Sequence, residues 1–152
     1  MTLYEQIGNI PMFQHFSEHD KKSVAEMEHA NLAFKKGDVI IAEGGRFSSL
    51  YLLIKGALLI TKTGHSTPIS KLMPGAVFGE MSFFTQKPRL NNVVADEDVL
   101  VLKMDAEFFR RVKPDIKDKI KDYLIELLIN RLDTMNESLS KISKVARFFP
   151  PE

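Results

Sequence analysis

Five glycines, at positions 37, 45, 56, 64 and 75, cut the middle of this chain into intervals that alternate between eight and eleven residues. Between them stand runs of β-branched and large aliphatic side chains: Val39-Ile40-Ile41, Leu50 through Ile54, and Ala57 through Thr61. Val93-Val94-Ala95 and Val99-Leu100-Val101-Leu102 continue the series. Such side chains fit a pleated, half-buried surface, and glycine turns the chain at no steric cost. Turn signals at this regular spacing predict a sandwich or barrel of short strands over residues 34–104. Lys62-Thr63-Gly64-His65 reads as a hairpin turn, and Gly44-Gly45 as a turn between strands rather than a phosphate cradle.

The flanks have a different period. Residues 1–33 read as short helices and loops. Ser17-Glu18-His19-Asp20 has the form of a capping box, followed by inward-facing Val24 and Met27, with Leu32 near the helix end. Ile10-Pro11-Met12-Phe13 and Phe16 form an apolar anchor. Residues 105–145 read as two helices. Asp105 starts the first, with Phe108, Phe109 and Val112 on its apolar face, and Pro114 suits the first turn of the second. In the second helix Leu128, Leu132, Met135, Leu139 and Ile142 are spaced four, three, four, three, a heptad-like seam. A helix that outruns a small barrel leaves such a stripe uncovered. Pairing with a second copy is therefore expected, the alternative being that the stripe folds back on the barrel. Residues 146–152 read as a terminal tail. With 152 residues, the whole is expected to be one domain, 1–152.

Composition removes several functions. A formal net charge of +1 gives no general pull towards nucleic acid or an anionic membrane. The absence of cysteine excludes disulfides, thiolate metal sites and cysteine nucleophiles, and fits a reducing cytoplasm. Neither a signal peptide nor an apolar run of membrane-spanning length is visible, so a cytoplasmic location is expected. His15 and His19 straddle a helix start without a third ligand, and the β segment holds only His65, which argues against a metal centre. Ser48, Ser49 and Ser82 have no base in a recognisable arrangement, so no catalytic residue is assigned.

One segment carries chemistry: Phe78 to Ala95, FGEMSFFTQKPRLNNVVA. Gly79-Glu80 is followed nine positions later by Pro88-Arg89. A carboxylate and a guanidinium delivered by one compact loop can grip a small molecule bearing a hydroxyl and an anionic oxygen, as a sugar phosphate does. A structural salt bridge across the loop is the plainer alternative. The setting favours a ligand: glycine precedes the acid, proline precedes the base, and a strand follows.

This segment resembles the phosphate-binding cassette of the cyclic-nucleotide-binding domain family. Ile10-Pro11-Met12-Phe13, Phe34-Lys35-Lys36-Gly37-Asp38-Val39-Ile40, Glu43-Gly44, Leu50 through Gly56 and Pro74-Gly75 extend the resemblance over nearly the whole chain. It implies a mainly β fold with flanking helices: an eight-stranded jelly-roll barrel, N-terminal helices and a long C-terminal helix. It implies that Arg89 takes the cyclic phosphate and Glu80 the ribose hydroxyl. Gly79 would allow close approach, a helical turn starting near Met81 with Ser82 beside it would supply N–H donors, and the Leu90 backbone would complete the pocket.

The sequence Leu90-Asn91-Asn92 departs from the small residues and threonine usual in the family. Guanine-preferring members tend to carry a hydroxyl residue directly after the arginine, so Leu90 favours cyclic AMP over cyclic GMP. Asn136 on the long helix is aligned to meet an adenine edge, or is a plain exposed helix residue. Transcription regulators of the family continue into a winged helix-turn-helix, for which no room remains before Glu152. The expected partner is thus an effector protein or a downstream part of a longer polypeptide, not nucleic acid or membrane. The reading is a regulatory module that signals through its C-terminal helix, with a nucleotide-unresponsive dimerising scaffold as the alternative. An enzyme on a jelly roll is the more remote rival.

Overall fold

The computed structural model describes residues 2–147, in two compact units that meet in sequence between Lys113 and Pro114. In the first unit, helix α1 (Leu3–Ile7), a 3-10 turn (Pro11–Phe13) and helix α2 (Glu18–Ala25) precede the strands. These are β1 (Asn31–Phe34), β2 (Val39–Ile41), β3 (Leu50–Lys55), β4 (Leu58–Thr61), β5 (Ser70–Leu72), β6 (Val77–Phe78), β7 (Asn92–Ala95) and β8 (Val99–Met104). Helix α3 (Glu80–Thr85) lies between β6 and β7, and α4 (Ala106–Arg111) follows β8.

The strands make two antiparallel sheets of four, ordered β1-β8-β3-β6 and β2-β7-β4-β5. The sheets share one core. Tyr51, Leu53, Phe78, Val99 and Val101 come from the first, and Ile41, Leu58, Val93 and Ala95 from the second. The period-two alternation is clean in β7, where Val93 and Ala95 are buried and Asn92 and Val94 are half-buried. Leu50 through Ile54 in β3 are buried without alternation, and α1 packs against this strand as well as α2. A strand covered on both faces has no reason to alternate. Tyr51 and Phe78 stack between neighbouring strands, ring centroids 5.2 Å apart. The anchor expected around Pro11 is present: Ile10, Met12, Phe13 and Phe16 are all buried.

Two local readings change. The first strand starts at Asn31, before the expected boundary at 34, so Leu32 belongs to β1 and not to a helix end. The Asn31 side chain explains the early break: its Nδ2 donates to the carbonyls of Val24 (3.1 Å), in the last turn of α2, and Met27 (2.9 Å), just beyond it. Strands β5 and β6 were not anticipated. The left-handed turn residue of the Gly44-Gly45 pair is Gly44 (φ 80°).

The second unit is helix α5, Pro114–Ala146, 33 residues long, opening on the expected proline. Leu132, Met135, Leu139 and Ile142 stand exposed along it. Among the described residues no helix is long and apolar enough to cross a membrane. The tail expected from residue 146 lies, from Phe148 on, outside the described residues.

Candidate functional site

The site is built where β6 gives way to α3. Gly79 N-caps that helix in the left-handed region, φ 79°. A Cβ there would stand 2.9 Å from Nη1 of Arg89 and 3.0 Å from the Ser49 carbonyl oxygen. Only glycine combines this dihedral with this proximity. Glu80, half-buried, is the first residue of α3; Met81 is exposed and Ser82 buried. At the other end Gln86 is also left-handed, φ 60°, and its side chain secures the turn: Nε2 donates to the Phe83 carbonyl (2.7 Å), and Oε1 accepts from the Ser48 hydroxyl (3.3 Å). From there Lys87 and Pro88 lead to Arg89.

Arg89 is 7% exposed. Its Nη1 donates to the Gly79 carbonyl (2.7 Å) and its Nη2 to the Ser49 carbonyl (2.6 Å). Its backbone is clamped to the turn before β3: Arg89 N–H donates to Gly45 O (2.9 Å), and Gly44 N–H donates to Arg89 O (2.8 Å). Burial lowers the arginine's hold on its proton, while Tyr51 and Glu80 pull the other way. Burial likewise pushes the Tyr51 phenol up, opposed by the positive charge of Arg89 and a hydrogen bond with Ser49. A guanidinium stays charged throughout. Both acceptors of its fork are neutral carbonyls, and the fork has more donors than they take up. The arrangement suits an anion with at least two oxygens.

A second polar cluster ties down the chain just past Arg89. Lys62 Nζ donates to the Leu90 carbonyl (2.9 Å) and pairs with the Glu43 carboxylate (3.0 Å). Glu43 accepts from the Thr63 N–H (3.1 Å), and its own N–H donates to Asn92 Oδ1 (2.8 Å). Asn92 Nδ2 donates to the Thr63 hydroxyl (3.3 Å). The Thr63 hydroxyl, the Lys62 ammonium and the Thr63 N–H together hold the Glu43 carboxyl down to about 2, against an ordinary 4.5.

A sequence profile described as the cyclic nucleotide-binding domain matches residues 31–113, more than half of the chain. The chain belongs to the cyclic nucleotide-binding domain family. It is 29% identical over 117 residues to the cAMP-dependent protein kinase regulatory subunit of Aspergillus niger, covering 76% of this chain and 28% of that protein. The chain spans 28% to 42% of the length of the kinase regulatory subunits it matches. Among solved structures, the Thermus thermophilus catabolite activator protein aligns with a TM-score of 0.69 at 25% identity, covering 88% of this chain and 63% of that one. The regulatory subunit of a cAMP-independent protein kinase A from Trypanosoma brucei aligns with a TM-score of 0.62 at 21% identity, covering 83% and 46%. This last likeness is one of fold.

Within this cyclic nucleotide-binding domain, Gly79, Glu80, Met81, Ser82, Arg89 and Leu90 fall in the single segment between β6 and β7. Helix α3 begins at Glu80, one residue before the expected Met81. Leu90 is 67% exposed, directed away from the core. Asn136 lies on α5, in the other unit, and is exposed. The sequence reading missed Ser49 and Tyr51 beside Arg89, and the Glu43, Lys62 and Asn92 cluster. Ser49 sits 40 residues from Arg89, and Lys62 28 residues from Leu90, so no local spacing announces either.

Proposed function

We propose that this chain is a cytoplasmic regulatory module, not a catalyst, that binds a cyclic nucleotide in the segment between β6 and β7, cyclic AMP in preference to cyclic GMP. The observation that carries the reading is Arg89: a nearly fully buried cation whose fork meets two neutral carbonyls. A cyclic phosphate bound there adds a counter-charge to the one that Glu80 already supplies to the buried cation. Glu80 takes the ribose hydroxyl, Gly79 allows close approach, and the backbones of Met81, Ser82 and Leu90 complete the pocket. The family membership and the cAMP-dependent kinase regulatory subunits among the relatives support this ligand class. Successive strands switch between the two sheets everywhere except at β4 and β5, which pair within one, and this supports a jelly-roll barrel.

Signalling then runs outward from the pocket. Phe83 of α3 packs on Phe109 of α4, centroids 5.8 Å apart, and α4 leads in sequence into α5. A ligand that draws α3 towards the phosphate biases α4 through this ring pair, and α5 carries the change to an effector protein. It can do so only if it binds one arrangement more tightly than the other. The exposed stripe of α5 pairs with a second copy.

Calorimetric titration with cyclic AMP and cyclic GMP tests the reading. The expected result is heat with both and tighter binding of cyclic AMP. Arg89→Lys keeps the charge but loses the fork, and should weaken binding about 100-fold or more while the protein still melts cooperatively. Unchanged affinity in that variant overturns the role of Arg89. One observation favours a second reading, a nucleotide-unresponsive dimerising scaffold: the same fold serves the regulatory subunit of a protein kinase A described as cAMP-independent. Absence of heat at saturating ligand, with the protein folded and dimeric, selects it.

A further inference from the structure

The peptide groups on either side of Leu90 are planar and trans, so fixing each carbonyl fixes the opposite direction of the N–H in the same plane. The Arg89 carbonyl is held by the Gly44 N–H at 2.8 Å, which sets the direction of the Leu90 N–H. The Leu90 carbonyl is held by Lys62 at 2.9 Å, which sets the direction of the Asn91 N–H. The first restraint is backbone to backbone. The second depends wholly on one side chain, and that side chain is aimed by Glu43. Glu43 is in turn locked from both sides, by Thr63 on one and through its own N–H by Asn92 on the other. A lysine has a long, mobile stem, and an exposed ion pair adds little to stability by itself. Here Lys62 is 41% and Glu43 26% exposed, so what the pair contributes lies in the peptide it fixes.

We propose that Lys62, oriented by Glu43, is a positioning residue of the anion site: it latches the peptide after Leu90 to β4 and so builds the chain beyond Arg89 into its binding geometry before any ligand arrives. This rests on the reading of Arg89 as the phosphate residue. The latch sits behind the binding segment and acts through the backbone. Its effect on affinity is the ordering that a looser segment would have to undergo on binding.

Three variants test it: Lys62→Met, which keeps the stem and loses the donor; Lys62→Arg, which restores a donor; and Glu43→Gln, which keeps Lys62 charged but unaimed. Amide hydrogen exchange at Leu90–Asn92 is read in the unliganded protein, and cyclic AMP affinity by calorimetry. Lys62→Met and Glu43→Gln should each speed exchange at Asn91 and weaken binding about tenfold, with Lys62→Arg recovering most of both. Were Lys62 merely a distant positive charge, Glu43→Gln would tighten binding, and that result overturns the proposal. So does exchange at Asn91 that is the same in wild type and Lys62→Met. If wild type binds neither nucleotide, the ligand reading fails on its own, and the exchange data still decide whether the latch orders the segment.

Discussion

At Gly79 the backbone dihedral and the nearest atoms make the same demand. Gly79→Ala would put a methyl 2.9 Å from the Arg89 guanidinium on a residue already at φ 79°. We expect a loss of about 2 kcal/mol or more in denaturant unfolding, together with weaker nucleotide binding, because relief comes most easily by displacing Arg89. Equal stability and affinity would show that the guanidinium moves aside without consequence. Glu43 makes a pH-dependent contribution. Its folded carboxyl titrates near 2 instead of 4.5, so the stabilisation is full above pH 4.5 and disappears as pH falls through 2. Midpoints measured across that window should fall more steeply for wild type than for Glu43→Gln, and parallel curves would contradict the assignment. Gly79 and Arg89 were legible in the sequence because one short loop contains both. Glu43 and Lys62 were not, because their meeting depends on β2 and β4 both pairing with β7.

Helix starts with strong local signals are where the sequence places them, while the end of α2 and strands β5 and β6 are not. Ser17 and Asp20 form the reciprocal capping box that their spacing announces, with hydrogen bonds of 3.0 and 3.2 Å. Asp105 caps α4 through the Phe108 N–H at 2.9 Å. Asp105→Ala should cost about 1 kcal/mol, seen as a lower denaturant midpoint at unchanged slope. A change within error would mean that α4 is held by packing at Phe108 alone. Strands β5 and β6 lack the unbroken β-branched run that marks β2, which is as short as β5: Ser70-Lys71-Leu72 is mainly polar and β6 has two residues. Their partners define them: β5 pairs with β4, and β6 with β3. The β1 boundary was missed for a related reason, since a side-chain cap at Asn31 followed by pairing with β8 sets it.

For the molecule as a whole, the main unanswered demand is the apolar stripe on α5. Leu132, Met135, Leu139 and Ile142 repeat at heptad-like spacing and are all more than half exposed. Exposed stripes of this kind mark interaction surfaces. Sedimentation should therefore find a dimer, and Leu139→Glu, which sets a charge in the seam, should weaken it roughly 100-fold. A wild-type monomer at high concentration would leave the stripe to a different protein. The two-sheet architecture was legible because glycine spacing and β-rich runs agreed over seventy residues of chain. Partner identity is not legible in the same way, since a heptad seam specifies that something packs there more strongly than what packs there.

The bonding of Arg89 also bears on how a lineage can vary this pocket. Its two acceptors are main-chain oxygens, which every amino acid supplies. A change of side chain at position 49 therefore leaves that acceptor in place, although it gives up the hydrogen bond with Tyr51. Around the guanidinium, the hold is most easily lost at position 79, the one place in that wall that must never acquire a side chain.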